Sequence, residues 1–224
     1  MIDQQIRGPS LSRPVLVLVL GLVLISAKCG QAVVREFERP HHRHAFVHDE
    51  GGGPLSATSG FGGVSIDPPP PAPWTASFGD MLLCVRDPGV TARITDVRAD
   101  LVGTPLRLRQ VLRRVPPASD RPARGYFWGP YISMSQSFPG TGSVPYGGKL
   151  RRPEGALIDQ PCSSSLGDGR QGYTDLLTEL TVGNGGAEVK RTYVDYTSGG
   201  QRFTLAIRWE MTACGRLMRD HCRK

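Results

Sequence analysis

The chain has 224 residues, 28 of them Gly and 19 Pro, and is only 39% hydrophobic and 7% aromatic, which supports one packed core beside much irregular chain and excludes two full domains. The formal charge of +7 is almost all arginine, with lysine only at Lys28, Lys149, Lys190 and Lys224. A GC-rich genome favours Arg, Gly, Pro and Ala alike and accounts for much of this; attraction to anionic lipid or anionic wall polymer is the functional counterpart, and no nucleic-acid partner is expected.

Residues 15–25 form an unbroken apolar run, preceded by Arg7, Arg13 and Pro14 and followed by Lys28. The run has the length of a signal-peptide core; extended to Val34 it reaches the length of a single membrane-spanning helix, with Lys28 snorkelling to the interface. Cleavage after Ala27 or Ala32 fits a small-residue rule. Cys29 follows Lys28 rather than Gly or Ala, so it does not read as a lipid-attachment site. A positive-inside count over Lys28, Arg35, Arg39 and Arg43 argues for the opposite orientation, but the basic start and the cysteine content favour export.

Residues 35–77 lack periodicity, contain glycine clusters and a proline run from Pro68 to Pro71, and read as a disordered, partly polyproline II linker. His41, His42, His44 and His48, with Asp49 and Glu50 behind them, are the candidate metal ligands. A flexible segment lacks the fixed geometry and supporting hydrogen bonds of a metal site, so neither a metal nor another cofactor is expected.

Residues 78–214 read as one domain and 215–224 as a basic tail. Met81–Arg86 is a short apolar run, Asp87 to Gly89 a turn, and Val90, Ala92 and Ile94 alternate with polar residues. Residues 104–115 fit two patterns. A helix started by Thr104 and Pro105 would place Leu108, Val111, Leu112 and Val115 on one stripe and Arg107, Arg109, Arg113 and Arg114 opposite, suited to a membrane surface. A bulged strand is preferred because its neighbours are β. Residues 137–172 have little periodicity and read as a long loop. Residues 175–213 read as a three-stranded antiparallel meander. It ends in a strand that buries Phe203, Leu205, Ile207, Trp209 and Met211, five side chains worth about 10 kcal/mol gross. Short strands with Gly/Pro turns predict a mainly β fold, an antiparallel immunoglobulin-like sandwich behind the N-terminal hydrophobic helix and the linker.

Four domain cysteines permit three pairings; Cys162–Cys214 is preferred, leaving Cys84–Cys222. The spacing matches neither a redox nor a zinc motif. Every histidine lies in the linker or, as His221, in the tail, so a core Ser-His-Asp arrangement is not expected. Asp96, Asp100, Asp175, Glu179, Asp195 and Glu210 fall on faces that read as wet. Tyr126, Phe127, Trp128 and Tyr131 form the densest aromatic cluster and the candidate platform for a sugar or peptide.

Leu82 to Cys84, Pro88 to Thr91 and Ile94 to Val97, with Tyr196 to Gly200 leading to Cys214, resemble the opening and closing strands of exported actinobacterial domains of unknown function. The resemblance spans residues 80–214. It implies a signal sequence or anchor and a β-sandwich, and it assigns no catalytic or binding residue. The sequence thus predicts a non-enzymatic binding or structural module of the cell envelope, membrane-anchored or secreted, with a protein partner ahead of a sugar. The alternatives are an accessory subunit of a membrane complex touching anionic lipid through Arg107–Arg114, and an enzyme without a recognisable signature.

Overall fold

Side chains that alternate between oil and water need two sheets to close over the oily side. The computed structural model describes residues 45–46, 49–59, 63–67, 71–122, 126–131, 134–138, 146–162, 170–218 and 222. The chain divides into two units, Met1–Val33 and Val34–Lys224, and every described residue belongs to the second. The leader at 15–34 and the histidines His41, His42, His44 and His48 lie outside the described residues. Among the described residues no helix is long and apolar enough to cross a membrane.

The strands are β1 (Ala45–Phe46), β2 (Asp49–Glu50), β3 (Leu55–Ser59), β4 (Gly63–Ile66), β5 (Trp74–Val85), β6 (Ala92–Gly103), β7 (Arg107–Val115), β8 (Lys149–Arg151), β9 (Leu157–Ile158), β10 (Tyr173–Val182), β11 (Ala187–Ser198), β12 (Gln201–Ile207) and β13 (Glu210–Ala213). One sheet has the order β1-β3-β5-β10-β7-β8 and is antiparallel throughout. The other is centred on β11, which pairs with β6 on one side and with β12 and then β13 on the other. β9 extends this sheet beyond β6, β2 beyond β12, and β4 joins β13 in parallel. The inner faces share one core, with Leu55, Phe78, Leu83, Leu112 and Leu180 from the first sheet against Ile94, Val194, Leu205, Ile207 and Trp209 from the second. The mainly β, two-sheet architecture agrees with the alternation in the sequence.

Several local expectations need correction. The linker expected over 35–77 contributes β3, β4 and the start of β5, and all five β3 residues are buried. Ser56, Ala57, Thr58 and Ser59 are too small to announce a buried strand by hydrophobicity. The β5 ladder from Leu82 to Val85 supplies their backbone bonds, and small side chains fit where a strand is covered. The three-stranded meander is split: β10 belongs to the first sheet, and the turn at 183–186 carries the chain across to β11 in the second. The final strand is interrupted at Arg208 and Trp209 into β12 and β13, yet Leu205, Ile207, Trp209 and Met211 still face the core. The strand preferred for residues 107–115 is present, but its register with β10 runs without the expected bulge.

The disulfides are Cys84–Cys162 and Cys214–Cys222, not the expected Cys162–Cys214 and Cys84–Cys222. Period two explains the first. Leu83 and Val85 point into the sandwich, so Cys84 points to the opposite face, where the backbone N–H of Cys162 donates to the Val85 carbonyl at 2.8 Å. The second ties Cys222 of the basic tail back to the end of β13 instead of to Cys84.

Candidate functional site

The outer face of the first sheet is where the chain departs most from an ordinary sandwich. β7 and β10 turn Val111, Arg113 and Val115, and Tyr173, Asp175, Leu177 and Glu179, away from the shared core. Water would normally cover such a face; here residues 126–131 and 134–138, with Tyr146 and Cys162, cover it. Tyr131 and Phe138 pack on Val111 and Leu177, while Trp128 packs beside Leu82, Val115 and Tyr173. Room for Tyr131 comes from a bulge in β5, where Gly79 and Asp80 together oppose Leu177. A Cβ at Gly79 would sit 2.5 Å from the Cβ of Tyr131, and Asp80 takes the left-handed conformation at φ 73°, which Asp tolerates better than most residues.

Covering this face buries charge. The Arg113 and Asp175 side chains are 2% and 0% exposed, and Arg113 Nη2 lies 3.1 Å from Asp175 Oδ2. The same Nη2 donates to the Gly129 carbonyl at 2.6 Å and to the Tyr173 hydroxyl at 3.0 Å, and the Tyr173 hydroxyl donates to the Trp128 carbonyl at 2.6 Å. The backbone N–H of Tyr131 donates to Asp175 Oδ2 at 3.0 Å. Nε and Nη1 of Arg113 have no hydrogen-bond partner among the described residues; the guanidinium lies 5.2 Å from the Tyr146 ring centre and 5.7 Å from that of Tyr173. Burial pushes the Asp175 carboxyl up to about 7, against the pull of Arg113 and the Tyr131 N–H. Burial likewise pushes the Tyr131 hydroxyl up to about 12. Farther along β10 the same chemistry repeats on a smaller scale: Glu179 Oε2 accepts the backbone N–H of Phe138 at 3.2 Å and lies 3.9 Å from Arg109 Nη1. Asp175 and Glu179 are thus not on a wet face, and the cover is the reason.

Beside this buried network opens a cleft of about 830 Å³. Its lining includes the end of β7 and the two prolines after it, with the start of β10. Tyr126, Trp128, Tyr146 and Lys149 line it as well, with Asp159 and Gln160, which follow β9. Gly147 N–H donates to the Phe127 carbonyl at 2.8 Å, joining the two covering segments. Only glycine fits at 147, because a Cβ there would lie 2.4 Å from the Trp128 ring. The Tyr126 and Trp128 ring centres are 5.7 Å apart at 54°, and the Arg121 guanidinium lies 5.6 Å from the Trp128 ring centre.

The structure divides the expected aromatic platform. Tyr126 and Trp128 line the cleft; Phe127 is half-exposed and packs edge-on against Tyr146; Tyr131 is core. The arginines of β7 do not share one surface either. Arg113 is buried, Arg109 approaches Glu179, and only Arg114 lines the cleft, 3.7 Å from Asp159. Sequence reasoning missed Tyr146, Asp120, Asp159, Gln160 and Gln171; all but Asp120 come from the long 137–172 segment, whose length was the available signal. Among the described residues no group of His, Cys, Asp and Glu could hold a metal. No family model, curated protein or solved structure matches the chain.

Proposed function

We propose that the chain is an extracytoplasmic binding module of the cell envelope and that the cleft beside β7 takes its ligand. The observation that carries this reading is the pre-built aromatic wall: Tyr126, Trp128 and Tyr146 stand at a cleft whose cover is tied to the sheet by Cys84–Cys162 and by the Arg113 network. Two disulfides suit an oxidising compartment. Residues 15–34 would deliver the domain there, as a cleaved leader or as a single-pass anchor leaving the C-terminal domain outside the cell membrane. Binding is favoured over turnover because Asp120 and Asp159, the carboxylates lining the cleft, are both solvent-exposed, whereas a general acid holds its proton at neutral pH in dry surroundings. Contact with anionic lipid through Arg107–Arg114 is disfavoured by the burial of Arg113.

The test combines intact mass with hydrogen exchange on the native full-length protein. The expected product carries both disulfides, and solubilised envelope material slows exchange over 114–128 and 146–160 in the native protein but not in Trp128→Ala. A cytosolic, reduced product, or protection that ignores the Trp128 substitution, overturns the reading.

A further inference from the structure

We propose that the cleft accepts a neutral oligosaccharide, not the anionic polymers that the chain's overall charge would attract; this rests on the reading of the cleft as a binding site. The first argument is charge. The whole chain carries +7, yet among the described residues the cleft lining holds two cations, Arg114 and Lys149, and two carboxylates, Asp120 and Asp159, with Arg121 as a third cation beside the Trp128 ring. Arg114 is already matched by Asp159 at 3.7 Å. A phosphate- or carboxylate-bearing polymer laid in this cleft would meet carboxylates nearly as often as cations. A neutral ligand meets no such opposition, and the carboxylates and amides can accept and donate to its hydroxyls.

The second argument is shape and surface. Tyr126 is 48% exposed, so its ring is free to take the apolar C–H face of a pyranose. Trp128 is held in place beside it, its ring against Gly147 and near Arg121, so the wall needs little ordering when ligand arrives. Gln160 and Gln171 add amide groups along the lining. The volume of about 830 Å³ lies near the upper end of small-molecule sites, which suits several linked sugar rings better than one.

Trp128 supplies the readout, because Trp74 and Trp209 are buried in the shared core. The native protein is titrated with chitotetraose, cellotetraose and maltotetraose as neutral probes, and with heparin and a polyphosphate as anionic ones. At least one neutral probe is expected to give a saturable change in tryptophan emission. Its affinity should change less than about twofold between about 50 and about 500 mM salt. Tyr126→Ala should weaken it by about tenfold or more while leaving the circular dichroism unchanged. Saturable, Tyr126-dependent binding of an anionic probe alone, lost at high salt, overturns the neutral-ligand assignment but leaves the binding module standing. The same holds if envelope material protects the cleft in hydrogen exchange while all five probes fail. Failure of the probes together with absence of that protection removes the binding reading itself.

Discussion

The two sheets carry the same three side chains on their outer faces, and the chain treats them in opposite ways. On the first sheet, Tyr173 and Asp175 lie two apart on β10 and face Arg113 on β7. On the second, Tyr193 and Asp195 lie two apart on β11 and meet Arg98 on β6, whose guanidinium donates to Asp195 at 2.8 and 3.1 Å and lies 5.2 Å from the Tyr193 ring centre. The first trio is buried beneath residues 126–131 and 134–138 with Tyr146; the second is open to water. Accordingly the Asp175 carboxyl is pushed up by burial, while hydrogen bonding from Arg98 holds the Asp195 carboxyl below its ordinary value. Identical chemistry thus becomes a structural anchor under a cover and an ordinary surface pair without one, which is why the covered face, not the open one, positions a cleft.

The comparison breaks most visibly at the arginines. Arg113→Met removes the buried donor shared by Asp175, the Gly129 carbonyl and the Tyr173 hydroxyl and should cost about 3–5 kcal/mol in urea unfolding, whereas Arg98→Met should leave the urea midpoint almost unmoved. Equal effects would show that the cover does not distinguish the two trios. The next largest effect is at the disulfides. Replacing Cys84 and Cys162 by serine opens a link of sequence separation 78 and should cost about 4 kcal/mol; replacing Cys214 and Cys222, separation 8, should cost about 2–3 kcal/mol. Hydrogen exchange over 146–160 should accelerate only in the first pair of substitutions, which locates the loss in the cover. Gly79→Ala comes third, at about 1–3 kcal/mol, because the new methyl must displace Tyr131. A substitution tolerated without a shift in Tm would mean that Tyr131 does not seat in the bulge.

The same contrast explains what was legible in the sequence. Ile94, Leu205, Ile207 and Trp209 alternate with polar neighbours, and that local period placed them in the core without knowledge of their partners. Asp175 and Asp195 look alike at this level, because alternation says which residues share a face and nothing about what lies over it. The cover comes from residues with many Gly, Pro and Ser and no period, so the burial of Asp175, Glu179 and Tyr131 is a non-local fact. The cleft was half visible for the same reason: Tyr126, Trp128 and Arg114 stood out by type, whereas Tyr146, Asp159 and Gln160 become neighbours only after the 146–162 segment returns to β7 and Cys84. The wrong cysteine pairing followed from judging ends of segments rather than faces of strands.

The gentlest way to sharpen the comparison is pH. A carboxyl whose folded-state value is raised from 3.8 to about 7 binds its proton more tightly in the native chain than in the unfolded one. Its contribution to stability is therefore fully present below about pH 4 and is lost as pH rises through about 7, with a slope of at most about 1.4 kcal/mol per pH unit. Asp195, held low by Arg98, acts with the opposite sign and in a lower window: its contribution is present above the ordinary carboxylate value and is lost on acidification. Between pH 5 and 7 the covered trio should dominate, so the urea midpoint of the native protein should fall as pH rises. Asp175→Asn keeps an oxygen to accept the Tyr131 N–H and removes the proton, and should flatten the profile in that window, while Asp195→Asn should leave it intact. A midpoint that climbs from pH 5 to 7, or a slope that survives in Asp175→Asn, would mean that Arg113 keeps Asp175 ionised in the folded chain and that the cover changes solvation without changing charge.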